Sequence, residues 1–550
     1  MPQPWEEIGA RKRHERDSKI PMDWTLDSGV PESLRDVTHL PYSSGILSAR
    51  ELDITGNYTA QEIIEGTIKG KWTSVEVTVA FCKRAAIAHQ ATNCLTEIFF
   101  DEAISRARAL DKYLNDNSKP LGLLHGLPIS LKDCFDIKGY DTTLGFSARA
   151  FKPASKTSTL AKMLLDAGAI LYVKTTTPQG QMSFDTHSYL FGRTFNPYNR
   201  ALSAGGSSGG EAALIAMKGA IIGVAGDLGG SIRVPAANCG LYGIKPSAGR
   251  IPAKGAEGTG IPGSGGAGLA PAFGPIGRTL GDCRFFLDVM ARLQPWTYDG
   301  AISPYSIRYP PRGKRLSIGV LRCDGVVMPH PPVLNVLDDI AERLRIAGHR
   351  VYEIAIPEFA KALSVTNGYL TVNGNEEVFD LLAETEEPLS PWLAARMKRK
   401  GGRGLKDLYG LNHKKQQLEQ VFLERLWEGS DESQRLDAIL SPVAGHATPP
   451  HDAWRSQSYT SVWNLLDYPA GVIPVRTVNE LELAEDVAGD PLGPLDKLNR
   501  KLWDSDKRVS FIGAPIALQV IGRKQQEADL FTAMQIVDGV VKNRPKATKL

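Results

Sequence analysis

Short apolar runs separated by amphipathic stretches of helical length set the rhythm of this chain. LPISL at 127–131 has the length and composition of a buried strand. The pattern over 158–167 predicts a helix stopped by Gly168, with a further strand over 170–173. AIIGVA at 220–225 and the run 241–244 predict two more strands. The alternation resumes with a strand over 316–321, a helix over 331–347 ending at Gly348, and a strand over 351–356. Strands interleaved with helices imply an α/β layer fold around a large, parallel or mixed sheet.

Upstream, residues 1–56 are punctuated by proline and read as an irregular N-terminal arm. Two helices follow, each opened by a capping box: Thr59 stands three positions before Glu62, and Thr73 three before Glu76. The segment 255–277 is so rich in glycine and proline that it reads as a surface loop near the site. Strand-like runs resume on both sides of it without a polar spacer, so residues 57–550 are expected to form a single domain.

Hydrophobic residues make up 42% of the chain and charged residues 23%, as in a soluble globular protein with a substantial core. The 64 basic and 61 acidic side chains nearly cancel, which speaks against a dedicated nucleic-acid surface. The six cysteines show no CxxC spacing and read as reduced thiols of an intracellular protein. The N-terminus is charged, without an apolar signal core, and no apolar run approaches the roughly 20 residues that span a bilayer. These features lead to the expectation of a cytoplasmic protein with no membrane partner.

Three pieces carry candidate chemistry. GGSSGGE (205–211) leads into an apolar helix; it is either a glycine-rich turn capped by Ser208 or a close approach of backbone to a ligand, and no GK[ST] follows to make it a phosphate loop. GDLGGSIR (226–233) follows the strand AIIGVA, and its glycines before Ser231 let several N–H groups converge as an anion nest. Ser231 is there either a helix cap or a nucleophile, and Asp227 and Arg233 either a local ion pair or part of the site. LPISLKDCF ends a buried strand on Lys132, which either reaches solvent, pairs with Asp133, or is desolvated and acts as a base.

Together the three pieces resemble the amidase signature family. GGSSGGE followed by GDLGGSIRVPAANCGLYGIKPS looks like its signature stretch, Ser207 and Ser231 stand 24 positions apart as its two catalytic serines do, and LPISLKDCFDIKG looks like its lysine segment. Weaker likenesses are FGRTFNPYN, GPIGRTLGD and GAPIALQVIGR, so the resemblance spans most of 60–525, with a signature core at about 125–280. IPMDW in the arm, SVWNLLDYPAGVIPV (461–475) and the helix-like stretch 411–427 look most like the fungal acetamidase-like branch.

The resemblance implies the amidase-signature fold, with a central mixed sheet flanked by helices on both sides. It implies hydrolysis of a carboxylic amide through an acyl-enzyme, with Ser231 as nucleophile, Ser207 in a cis peptide as bridge and Lys132 as base. Backbone N–H groups of Leu228, Gly229, Gly230 and Ser231 would hold the oxyanion, with Ser208, Asp227 and Arg233 lining the site. Segments 182–190, 368–376 and 441–463 would line the acyl pocket. No metal or organic cofactor is implied; His446 and His451, in HATPPH, read as structural or solvated. The partner is a small-molecule amide, with room for a homodimer. One departure is Gly226, where the family usually carries Thr or Ser, which removes a hydrogen-bonding side chain beside the nucleophile. Other readings of the same residues are the amidase subunit of a tRNA-dependent amidotransferase, a membrane-bound fatty-amide hydrolase, and a non-catalytic scaffold with the amidase fold.

Overall fold

A computed structural model describes residues 5–27, 29–258, 268–310, 313–356, 358–428 and 435–543. Its strands are β1 (Leu95–Ile98), β2 (Pro128–Lys132), β3 (Ile170–Thr175), β4 (His187–Ser188), β5 (Gly192–Arg193), β6 (Ile222–Asp227), β7 (Tyr242–Lys245), β8 (Ala272–Gly277), β9 (Ser317–Leu321), β10 (Arg350–Ile354), β11 (Ala438–Pro442), β12 (Ala470–Thr477) and β13 (Pro515–Ile521). Eleven of them form one sheet in the order β1-β3-β2-β6-β8-β7-β12-β13-β11-β9-β10, while β4 and β5 make a separate ribbon. The sheet is mixed: β2 runs parallel to β3 and β6, and β9 to β10 and β11, while the remaining neighbours are antiparallel. Helices flank it, and the fold is α/β as expected. Among the described residues no helix is long and apolar enough to cross a membrane.

The periodicity located most of these elements. The runs at 127–131, 170–173, 220–225, 241–244, 316–321 and 351–356 correspond to β2, β3, β6, β7, β9 and β10, and the helices Thr159–Asp166 and Pro331–Ile346 lie where the pattern put them. Both capping boxes form, at the starts of helices Ala60–Ile68 and Ser74–Thr92.

Two expectations give way. The arm is not irregular: it holds helices Trp5–Asp17, Leu40–Ser43 and Ala49–Asn57. The first of these docks mainly through charge, with Ile8 packed against Ala150, Leu190 and Phe191 and Trp5 on Tyr189 as its apolar contacts. Lys12 Nζ lies 2.7 Å from both Glu97 and Asp141, Arg13 donates to the carbonyls of Tyr189 and Leu190, and Arg16 donates to Asn93 Oδ1 and the Leu95 carbonyl. A helix anchored this way shows no hydrophobic period.

The segment 255–277 is the second correction. Part of it, 259–267, lies outside the described residues, but its C-terminal end is β8, a buried strand between β6 and β7. Gly274 reports crowding there, since a Cβ would stand 2.0 Å from the Ile244 carbonyl oxygen. Pro275 is tolerated because β7 pairs only with Ile276 and Gly277, leaving Pro275 a partner on one side.

Candidate active site

β2 and β6 are parallel neighbours, with Ser130 opposite Gly223 and Leu131 opposite Val224, so Lys132 and Asp227 come out at the same edge of the sheet. Lys132 is 1% exposed, and its Nζ donates to Ser207 Oγ at 2.7 Å. It neither reaches solvent nor pairs with Asp133. That carboxylate accepts from Thr96 Oγ1, Thr143 Oγ1 and the Leu144 N–H, and lies 3.5 Å from Lys174. With only a hydroxyl against its ammonium, burial pushes Lys132 down to about 8, even though Asp227, Glu211 and Asp133 pull the other way.

Ser207 is delivered by the glycine turn. A Cβ on Gly205 would stand 2.6 Å from Pro235 Cα, and one on Gly206 would stand 2.3 Å from the Ser183 carbonyl, so the turn is wedged between two backbone segments. The Gly206–Ser207 peptide is cis. Ser208 holds the N-cap position of helix Gly209–Ala216, yet its hydroxyl makes no cap bond and is buried without a partner among the described residues.

The loop 227–233 is built around one carboxylate. Asp227 accepts from the N–H groups of Gly230 (2.8 Å) and Ile232 (3.1 Å), from Arg233 Nε and Nη2 (3.0 Å each), and from Asn464 Nδ2 (2.9 Å). Burial opposes its charge, but the Arg233 guanidinium outweighs that and holds the carboxyl far below the usual carboxylate range. Arg233 spends its remaining donors on Gln519 and Asn464. Asp227 and Arg233 are buried, 1% and 0% exposed, and their bonds shape the loop.

This network engages one of the four N–H groups named above for the oxyanion. The Gly230 N–H is committed to Asp227, whereas those of Leu228, Gly229 and Ser231 have no acceptor among the described residues. Helix Ser458–Leu465 presses on the loop from outside: Thr460 Oγ1 donates to the Gly229 carbonyl at 2.5 Å, and Asn464 Nδ2 donates to the Asp227 carbonyl at 3.0 Å. Gly230 has φ +137°, and a Cβ there would stand 2.6 Å from Thr460 Oγ1, so both conformation and space demand glycine. Ser231 is 9% exposed, and its hydroxyl has no hydrogen-bond partner among the described residues. It caps nothing, because helix Arg233–Asn238 begins from Ile232 without a side-chain cap.

Gly226 lies against an aromatic ring. A Cβ on Gly226 would stand 3.0 Å from Phe273 Cε1, and the two residues are paired across β6 and β8. Of the segments expected to line the pocket, 182–190 surrounds Gly206 through Ser183, Phe184 and Asp185, and 441–463 brings Gln457 and Ser461 beside Gly229. Asn367, the residue before the third segment, accepts from Gln457 Nε2. His446 Nδ1 and His451 Nε2 each lie 2.9 Å from a backbone carbonyl, of Ala447 and Arg200.

Sequence reasoning passed over several supporting residues. Thr460 and Asn464 sit inside or beside SVWNLLDYPAGVIPV, a stretch that served only to indicate a branch, and Gln519 sits in GAPIALQVIGR. Glu211 closes the GGSSGGE motif without having been given a task; it is fully buried and accepts from Ser130 Oγ at 2.6 Å. Nothing in one-dimensional spacing pairs residue 130 with 211 or 227 with 464.

Comparison with known proteins shows the family of this chain. The family model described as Amidase matches residues 76–531. An acetamidase of Emericella nidulans is 37% identical over 538 residues, covering 96% of each chain, and an acetamidase of Aspergillus oryzae is 36% identical over 545 residues, covering 95% of this chain and 96% of its own. Among solved structures, a fatty acid amide hydrolase superposes with a TM-score of 0.87 at 29% identity, over 97% of this chain and 95% of that one. The chain belongs to the amidase family and is an amide-hydrolysing enzyme.

Proposed function

We propose that the protein hydrolyses a carboxylic amide to the acid and an amine or ammonia through Ser231, Ser207 and Lys132, by way of an acyl-enzyme. The observation that carries this reading is the 2.7 Å contact between Lys132 Nζ and Ser207 Oγ, made at the end of β2 beside the parallel strand β6, whose end opens the loop to Ser231. An alkoxide is inaccessible at neutral pH, so Ser231 must lose its proton as it attacks. Ser207 Oγ takes that proton while its own passes to neutral Lys132. The new C–O bond leaves negative charge on the carbonyl oxygen, which the free N–H groups of Leu228, Gly229 and Ser231 receive; one such donor is worth about 2.7–4 kcal/mol of barrier. The relay then runs in reverse and protonates the nitrogen as the C–N bond breaks, which an amide requires because an amine anion leaves poorly. Water repeats the sequence on the acyl-enzyme. Asp227, Arg233 and Asn464 keep the donors in place throughout.

Because Lys132 works as the neutral amine, kcat/KM rises with pH below about 8 and levels off above it. A fluorophosphonate probe tests the nucleophile: the purified chain, with no partner protein, becomes labelled at Ser231, read by peptide mass spectrometry, and Ser231→Ala does not. Labelling at another serine, or none at any pH between 7 and 10, overturns the assignment. Amides of graded acyl length, from acetamide upward, then define the acyl group that the pocket accepts.

A further inference from the structure

Two side-chain hydrogen bonds join β2 to the segment entering helix Gly209–Ala216. Lys132 Nζ donates to Ser207 Oγ at 2.7 Å, and Ser130 Oγ donates to Glu211 Oε2 at 2.6 Å. Ser130 and Lys132 are two apart and leave the same face of the strand. Glu211 follows Ser207 by four positions, about one helical turn. The bonds are therefore successive rungs between the same two elements.

The sheet clears space for the second rung. Gly223 pairs with Ser130 in register, and a Cβ there would stand 1.9 Å from Glu211 Oε2 and 2.7 Å from Ser130 Oγ. Glu211 is 0% exposed, has no ion-pair partner among the described residues, and its Oε1 accepts no hydrogen bond.

The groups acting on Glu211 are Ser130 and Lys132 on β2, Tyr172 and Thr175 on β3, and Cys94 beside β1, while Lys132 also feels Cys134, Asp133 and, at the end of β6, Asp227. Lys132 is the cation that acts on Glu211; Lys174 lies against Asp133 instead. Burial pushes Glu211 up to about 7 and Lys132 down to about 8, so the two titrate as a linked pair.

We propose that Glu211 is a positioning residue for amide hydrolysis: through Ser130 it fixes β2 against the turn that carries Ser207, and its carboxylate adds to that of Asp227 in favouring the charged form of Lys132. The proposal rests on Lys132 acting as the base. An ionised Glu211 favours the protonated lysine and so raises the acid limb of the rate profile; removing the charge lowers it.

Glu211→Gln keeps an acceptor for Ser130 but cannot ionise. Its acid limb of kcat/KM moves to lower pH by about one unit, a shift that a purely structural role would not produce. Ser130→Ala breaks the rung and leaves the carboxyl, so kcat falls with little change in KM. An acid limb for Glu211→Gln that coincides with wild type, or a wild-type kcat for Ser130→Ala, overturns the proposal. Should Glu211→Gln not fold, Gly223→Ala, whose methyl displaces the carboxyl from Ser130, must lower kcat and shift the acid limb, or the proposal falls. Lys132→Ala measured alongside separates the two layers: if it stays active, the triad reading fails; if it is inactive while Glu211→Gln is unshifted, only the role of Glu211 fails.

Discussion

Lys12 in the N-terminal helix and Lys132 at the end of β2 are equally hidden from water, 2% and 1% exposed, yet their surroundings drive them in opposite directions. Burial penalises the charge of both. At Lys12 the carboxylates of Glu97 and Asp141, each 2.7 Å away, outweigh that penalty and hold the ammonium above its ordinary range. At Lys132 the contact is a serine hydroxyl, the nearby carboxylates are bonded elsewhere, and burial wins. Burial alone therefore does not make a lysine a base; a buried lysine without a direct counter-ion does. One lysine fastens the arm to the body, and the other can exchange a proton.

The largest expected effect breaks the catalytic half of this comparison. Lys132→Ala and Ser231→Ala each reduce kcat/KM on the order of 10⁴-fold or more, and Ser207→Ala is strongly impaired, while melting temperatures stay near wild type. Steady-state assays on an amide substrate check this, and full activity in any of the three ends the relay model. The structural half breaks differently. Lys12→Met removes the nearest counter-ion of two buried carboxylates and costs about 3–5 kcal/mol in urea unfolding, with the turnover of the folded enzyme preserved. Adding Asp141→Asn and Glu97→Gln to Lys12→Met recovers part of that loss; no recovery would show that the helix is held by other contacts.

A pH series sharpens the contrast further. Lys132 has its folded pKa lowered from 10.5 to about 8, so the native state binds fewer protons than the unfolded chain between those values. The stability of wild type relative to Lys132→Met therefore rises as pH goes from about 8 to about 10.5. Lys12 is raised above 10.5, so its contribution is complete below that pH and is lost only above it. Urea titrations at pH 7, 8.5 and 10 should show one difference climbing and the other flat; parallel curves would contradict the two environments. The smallest effect concerns Gly226. Restoring a hydroxyl with Gly226→Thr overpacks against Phe273 and costs about 1–3 kcal/mol, which Phe273→Ala in the same chain relieves.

The two lysines also differ in how legible they were. Lys132 ends an apolar run, and a charged residue closing a buried strand is conspicuous; GGSSGGE and GDLGGSIR are conspicuous in the same way, because glycines crowd where backbone must turn and approach. Lys12 sits in WEEIGARKRHERD, whose charges mimic a solvated segment, and its partners are contributed by residues 97 and 141. β8 was hidden for a related reason. Gly274 and Pro275 look like loop residues until the neighbours that require or tolerate them are in place. Thr460 and Asn464 act on a loop more than 200 positions away, which no local pattern can announce.

The sequence by itself determined the α/β alternation, the capping boxes, and the identity and spacing of Lys132, Ser207 and Ser231, because each depends on local backbone chemistry. Only the tertiary structure decided what those groups became. It placed Lys132 against a hydroxyl and Lys12 between carboxylates, bonded the Gly230 N–H to Asp227, packed the Phe273 ring against Gly226, and joined Glu211 to the strand that carries Lys132. Each of these depends on distance between residues far apart in the chain, and at such distances charge, desolvation and close packing act only once the sheet has been assembled.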